Sequence, residues 1–337
     1  MTFNIHRGTN ISHWLSQSKQ RGEARRVWFT QQDVETIAGL GFDHIRIPID
    51  EEQMWAGTGE PEEEAFALLD AALDWCEQAG LGAVVDLHIL RSHYFNDKTG
   101  VPSLFTDPTE QERFCTLWRD LSDRLHKREN NLVAYELLNE AVARDPKDWN
   151  RVATAAFGTV RDLEPERTIV LGSNWYCGTH TFDRLAVPDD RNCILTFHYY
   201  KPMLVTHHQA GWWDGGVYDG PVHYPGTPVA PEDVAQLAPD LGEKMGDWNT
   251  SFDRSSMIAD LEKPLAVRKQ TGRPLYCGEF GCYHKTPQAV RLAWYRDMMH
   301  TLNEYGIAWA NWDYKGSFGI VTPDGQDTGI ACVLLAQ

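Results

Sequence analysis

Positive charge is scarce in this sequence. Lys and Arg number 31 against 48 Asp and Glu, for a formal net charge of −17 at pH 7. An acidic surface repels phosphate backbones and anionic lipid, so neither nucleic acid nor a membrane is an expected partner. A neutral ligand is indifferent to that field. Long apolar runs are missing too, since nothing approaches the ~20 residues a membrane-spanning helix needs. The first residues, Met-Thr-Phe-Asn-Ile-His-Arg, lack the apolar core of a signal peptide. A cytoplasmic enzyme is the expectation, with a secreted one whose leader was trimmed as the alternative. The 7 cysteines are scattered, odd in number and free of any C-x-x-C pair. That argues against a disulfide framework and against a zinc site. No glycine-rich phosphate turn follows the first strand-like run, which weakens a doubly wound nucleotide-binding sheet.

Aromatic rings, by contrast, are plentiful, with 13 Trp and 12 Tyr. Most rings fill cores. Trp14, Trp55, Trp175, Trp212, Trp213 and Trp312, however, fall in loop-like stretches. Flat rings outside a core suit flat, partly apolar ligands, and sugar rings present such C–H faces.

Apolar runs of strand length alternate with amphipathic stretches. The runs are FNIHRGTN (3–10), HIRIPI (44–49), LGAVVDLH (81–88), LVAYELLNE (132–140), TIVLGS (168–173), CILTFHYY (193–200), PLYCGEFG (274–281) and IAWANWDY (307–314). Between them lie helical patterns such as 62–80, 109–128 and 148–165. Near-continuous apolar strands belong to a parallel sheet covered by helices. Eight such units over 337 residues predict a single-domain α/β fold, a (β/α)8 TIM barrel, with an open doubly wound sheet as the competing topology. One segment breaks the rhythm. Residues 201–255 follow the sixth strand with Pro, Gly, Trp and His and little period. A loop that long is usually functional, and its aromatics argue against disorder. It is expected to be a lid or wall over the site, with a small packed subdomain as the alternative.

In a barrel, catalytic residues stand at the C-terminal ends of strands. The second strand offers Arg46 there, the third Asp86 and His88, and the fourth Asn139 and Glu140. The sixth offers His198 and Tyr200, the seventh Glu279, the eighth Trp312 and Asp313. Any one alone reads as a satisfied buried group. Together on one face they read as a site. Carboxylates ending the fourth and seventh strands face each other across a barrel mouth, and paired carboxylates are what glycoside hydrolysis requires. Glu136 lies four residues before Glu140, hence on the same face but deeper, and is expected to be structural. His207 and His208 lack a third metal ligand at sensible spacing and read as loop residues.

The ordered motifs RGTN…HWL, IRIPID, VVDLH, YELLNE, FHYY, GEFG and WANWDYKGSFG resemble glycoside hydrolase family 5, the cellulase-like branch of the clan A retaining (β/α)8 glycosidases. The similarity spans nearly the whole chain. It implies Glu140 as general acid/base and Glu279 as nucleophile. It implies that Asn139 hydrogen-bonds the sugar 2-hydroxyl and that His198 and Tyr200 position the two glutamates. Arg46 would pair with the nucleophile, His88 would bind the sugar beside the bond, and Trp312 would stack under it. No cofactor and no metal is implied, because two carboxylates suffice. The partner is an oligosaccharide or polysaccharide, a β-linked glucan or a related glycan. Two features depart from the usual pattern. Ala141 follows Glu140 where proline is frequent, and NISHWLSQS (10–18) replaces a glycine-rich turn after the first strand. The second touches the site mouth, so the choice among glucan, mannan, xyloglucan and small glycosides stays open. Within it, Trp14 is open between sugar contact and core packing. The competing readings are a carbohydrate-binding protein on a decayed barrel, a metal-dependent barrel hydrolase, and a β-mannan or exo-acting enzyme of the same family.

Overall fold

The structure, a computed structural model, describes residues 3–97 and 100–336. Eight strands follow one another round a closed barrel in sequence order. They are β1 (Arg7–Asn10), β2 (His44–Asp50), β3 (Gly82–Ile89), β4 (Val133–Glu136), β5 (Ile169–Gly172), β6 (Cys193–Tyr199), β7 (Leu275–Phe280) and β8 (Ala308–Asn311). From β1 to β6 each strand pairs with the next in parallel, in registers such as Gly8 with His44 and Val84 with Ala134. This is the (β/α)8 barrel that the alternation predicts.

The helices start where the sequence tells them to. Asp107 accepts from the Thr109 N–H at 2.8 Å and Pro108 occupies the first turn of helix Pro108–Leu125. Asp145 and Pro146 repeat the device at helix Pro146–Leu163, with Asp145 accepting from the Lys147 N–H at 2.9 Å. An acceptor at the cap satisfies one of the orphan N–H groups, and proline there loses nothing. The first of these helices buries Phe114, Leu117, Trp118, Leu121 and Leu125, so its apolar stripe is consumed by packing. Among the described residues no helix is long and apolar enough to cross a membrane.

Strand boundaries differ from the apolar runs in an informative way. The first run begins at Phe3, but β1 begins at Arg7. Phe3 and Ile5 instead pack with Val84, Ala134, Val170, Ile194, Tyr276 and Ala310 in one buried cluster. The fourth run is longer than its strand, since β4 ends at Glu136. The backbone still follows the ladder, with the Leu137 N–H on the Val170 carbonyl at 3.2 Å and the Asn139 N–H on the Leu87 carbonyl at 2.9 Å.

The chain divides into two compact units. The first comprises Met1–His198, Lys263–Gly278 and Ala308–Ala310, and the second Tyr199–Glu262, Glu279–Ile307 and Asn311–Gln337. Within the second, segment 201–255 carries its own core of Leu204, Tyr218, Val222, Val229 and Met245, flanked by Trp213, Leu241 and Trp248. It holds helix Pro239–Trp248 and several shorter turns. The period was invisible in sequence because these elements are short and joined by proline and glycine.

Candidate active site

Glu140 sits just past the end of β4, buried, with φ 44. A left-handed backbone at a glutamate is uncommon, and such outliers persist only where the surroundings over-determine them. Here the determinants are visible. Asn139 is held by the β3 backbone, and the Glu140 carboxylate lies against the β6 imidazole, Oε1 to His198 Nδ1 at 2.9 Å. Burial pushes the Glu140 carboxyl up to about 7; Arg46 pulls against this and the Glu136 charge adds to it. A carboxyl raised in this way holds its proton near neutrality and is able to donate it.

Arg46, fully buried on β2, organises the floor beneath. Its Nε and Nη2 grip the two oxygens of Glu136 at 2.7 and 3.0 Å. Nη2 also reaches Asn139 Oδ1 at 2.9 Å and Asp86 Oδ2 at 3.0 Å, and Nη1 reaches Asn10 Oδ1 at 2.9 Å. Glu136 is therefore a structural partner of a buried guanidinium. The grip on Asn139 has a consequence for its other end. With Oδ1 committed to Arg46, the amide Nδ2 is buried and has no hydrogen-bond partner among the described residues. An orphan donor costs about 1–3 kcal/mol, and one lying beside Glu140 suits a ligand hydroxyl.

His88 ends β3 in the same network. Its Nδ1 lies 2.8 Å from Asp86 Oδ2, and its Nε2 lies 3.2 Å from Gln17 Nε2. Arg46, His88, Asn139, Glu140 and His198 are thus brought together within the first unit.

In the second unit Glu279, near the end of β7, accepts from the Tyr200 hydroxyl, Oε2 at 2.9 Å. Trp312 packs with Ala210, Tyr283, Phe318 and the Tyr200 ring. The glycines around Glu279 are required by crowding. A side chain at Gly278 would meet Thr196 Oγ1 at 2.7 Å, and one at Gly281 would run into the Trp312 carbonyl and Phe318.

Several readings of individual residues change. Trp14 and Trp55 belong to the core: Trp14 is 1% exposed, tilts on Phe29 and donates to the Arg25 carbonyl, while Trp55 donates to Asp120. Trp175 and Trp212 are the loop tryptophans left exposed. His207 and His208 lie in the loop as read but are buried, and burial pushes His207 down to about 3. Sequence reasoning missed Gln17 and Asp50. Asp50 closes the IRIPID motif, and Gln17 lies in the stretch that departs from the common pattern, so both signals were present but lacked a partner to give them meaning. For metal chemistry, Glu140 and His198 are suitable donor types, and Glu140 Oε1 and His198 Nδ1 face each other at 2.9 Å.

The profile of the family "Cellulase (glycosyl hydrolase family 5)" matches residues 7–317. Endoglucanase C of Acetivibrio thermocellus is 33% identical over 317 residues, covering 91% of this chain and 90% of that protein. Cellodextrinase A of Ruminococcus flavefaciens is 27% identical over 307 residues, covering 90% and 84%. Endoglucanase Cel5A of Thermotoga maritima shares the fold, with a TM-score of 0.78 at 24% identity, covering 98% of this chain and 97% of that one.

Proposed function

The chain belongs to glycosyl hydrolase family 5 and is a glycoside hydrolase, and from that premise we propose that it cleaves β-linked glucan with retention, using Glu279 as nucleophile and Glu140 as acid/base. The observation that carries the reading is the pairing of a buried carboxyl pushed up to about 7 with the orphan Asn139 amide beside it.

The first step forms a bond from Glu279 to the anomeric carbon while Glu140 gives its proton to the leaving oxygen. In the second step Glu140, now ionised, takes a proton from water, and the water oxygen displaces Glu279. Tyr200 donates to Glu279 and fixes its attacking oxygen. Asn139 Nδ2 donates to the sugar 2-hydroxyl, a contact that strengthens in the transition state. Arg46 holds Glu136 and the Asn139 side chain in place beneath Glu140. His198 orients Glu140. His88 binds the sugar, and Trp312 stacks beneath it. The residues suffice without metal or cofactor.

Relatives named endoglucanase and cellodextrinase bracket polymer and short-chain action. We assign the choice between them to segment 201–255, acting inside one catalytic domain as a wall beside Tyr200. In support, its His207 ring meets the Tyr200 ring edge-on at 5.1 Å, and the exposed Trp212 ring meets His207 edge-on at 6.1 Å.

A hydrolysis screen tests the reading. Wild type and Glu279→Gln are set against β-glucans, mannans, xyloglucan, short oligosaccharides and aryl β-glycosides, with and without chelator. Glucan cleavage lost in the variant and untouched by chelator is expected. Full activity in the variant, or loss with chelator, overturns it.

A further inference from the structure

The loop that departs from the family pattern is wired into the site at one residue. Gln17 has φ 51, a conformation that non-glycine residues seldom adopt. It is held at three points. Its N–H donates to Asp50 Oδ2 at 2.7 Å, its carbonyl faces His13 Nδ1 at 3.3 Å, and its side-chain amide meets His88 Nε2 at 3.2 Å. Asp50, buried at the end of β2, pins the loop a second time through its own N–H on the Leu15 carbonyl at 2.9 Å. Loop, strand end and imidazole are thus joined by directed hydrogen bonds, with an unusual backbone angle at the joint.

The protons on His88 follow from its neighbours. Asp86 Oδ2 already accepts from Arg46 Nη2 at 3.0 Å and lies 2.8 Å from His88 Nδ1. A carboxylate oxygen that faces a ring nitrogen accepts from it, so Nδ1 carries the hydrogen. In a neutral imidazole Nε2 is then an acceptor. The group opposite must donate, and it is the Gln17 Nε2 amide that stands there.

We propose that Gln17 is a positioning residue of the active site: its amide locks His88 as the Nδ1–H tautomer, with the ring plane fixed between Asp86 and Gln17, so that sugar meets an oriented imidazole. This rests on the reading that His88 binds sugar. With Nδ1 on Asp86 and the Nε2 lone pair on Gln17, both ring nitrogens are engaged, and the pair turns to a sugar a single donor edge, the second hydrogen on the Gln17 amide nitrogen. Substrates whose hydroxyls match that edge are favoured.

The test combines nitrogen-15 NMR of the histidines with kinetics on a soluble β-glucan. His88 is assigned by its disappearance in His88→Asn. In the wild-type protein at pH 7, His88 should show a protonated Nδ1 and an unprotonated Nε2. Gln17→Leu keeps the bulk, removes the donor and should move the Nε2 resonance. Its KM should rise roughly 3- to 10-fold, the worth of one hydrogen bond, with kcat little changed. Gln17→Glu places an acceptor opposite Nε2 and should protonate both nitrogens. A wild-type ring protonated at Nε2 alone overturns the proposal, and that arm needs no Gln17 variant to fold. Unchanged shifts in Gln17→Leu, or shifted resonances with unchanged KM, overturn it as well. The spectra test the contact whatever the activity, so a failed glycosidase reading and a failed Gln17 role leave different records.

Discussion

His198 Nδ1 lies 2.9 Å from Glu140 Oε1, and the glutamate it holds has left-handed backbone at the end of a buried strand run. A β6 imidazole thereby fixes a β4 carboxyl that burial has already pushed up to about 7. Strain, burial and a directed hydrogen bond converge on one side chain, the arrangement expected of a group that must deliver a proton.

The pH profile should show it. With a glucan, kcat/KM should fall as pH rises through about 7, because Glu140 must be protonated to assist departure. A dinitrophenyl β-glycoside, whose leaving group needs no proton, should lack that limb in bond cleavage. Parallel profiles for both substrates would place the ionisation elsewhere.

Stability should run the other way from that of most carboxylates. Burial pushes Asp50, Asp86 and Glu140 each up to about 7 in the folded chain, against ordinary values of 3.8 for Asp and 4.5 for Glu. Between those limits the folded state binds more protons than the unfolded one, so stability falls as pH rises from about 4 to about 7. Glu140→Gln removes one of these titrations. Its melting temperature should match wild type near pH 4 and exceed it at pH 8, measured by calorimetry. A variant less stable at pH 8 would contradict this.

Tyr200→Phe isolates the nucleophile's orientation. The ring remains to pack with Trp312 and Phe318, while the hydroxyl that donates to Glu279 at 2.9 Å is gone. A hydrogen bond to a charged group is worth ~1.5–3 kcal/mol, so kcat/KM should fall roughly 10- to 150-fold with melting little changed. Equal losses of stability and activity would assign Tyr200 to packing.

Arg46 is the one predicted to damage the fold as well as the site. Arg46→Met leaves Glu136 and Asp86 buried without their guanidinium. Breaking a buried pair from one side costs about 3–5 kcal/mol, readable as an earlier urea midpoint. Arg46→Lys should recover little, because a single ammonium cannot reproduce the fork on Glu136.

The barrel and most of the candidate site were legible because a barrel enzyme writes its chemistry in a fixed grammar. Apolar runs give the strands, and polar residues at their ends stand out against that background, as Asn139 and Glu140 do after Val133–Leu138. The rest depended on partners distant in sequence. Nothing in VAYELLNE shows that Arg46 turns Asn139 so that its amide nitrogen is left unpaired. Gln17 reads as a loop glutamine until His88 is placed against it, 71 positions away. The core of segment 201–255 is assembled from single apolar residues on short turns, which leave no period to detect. Trp14 and Trp55 fall in loop-like stretches of sequence, and residues of neighbouring helices bury those loops.

The most direct measurement is to trap the intermediate. The enzyme is incubated with an activated 2-deoxy-2-fluoro-β-cellobioside, which forms the glycosyl–enzyme readily and releases it slowly, and the labelled peptide is sequenced by mass spectrometry. One fluorosugar per chain on Glu279, in the peptide containing Gly278-Glu279-Phe280-Gly281, is the predicted result. A label on another residue, or turnover with no covalent species and an inverted product, would contradict the two-glutamate account.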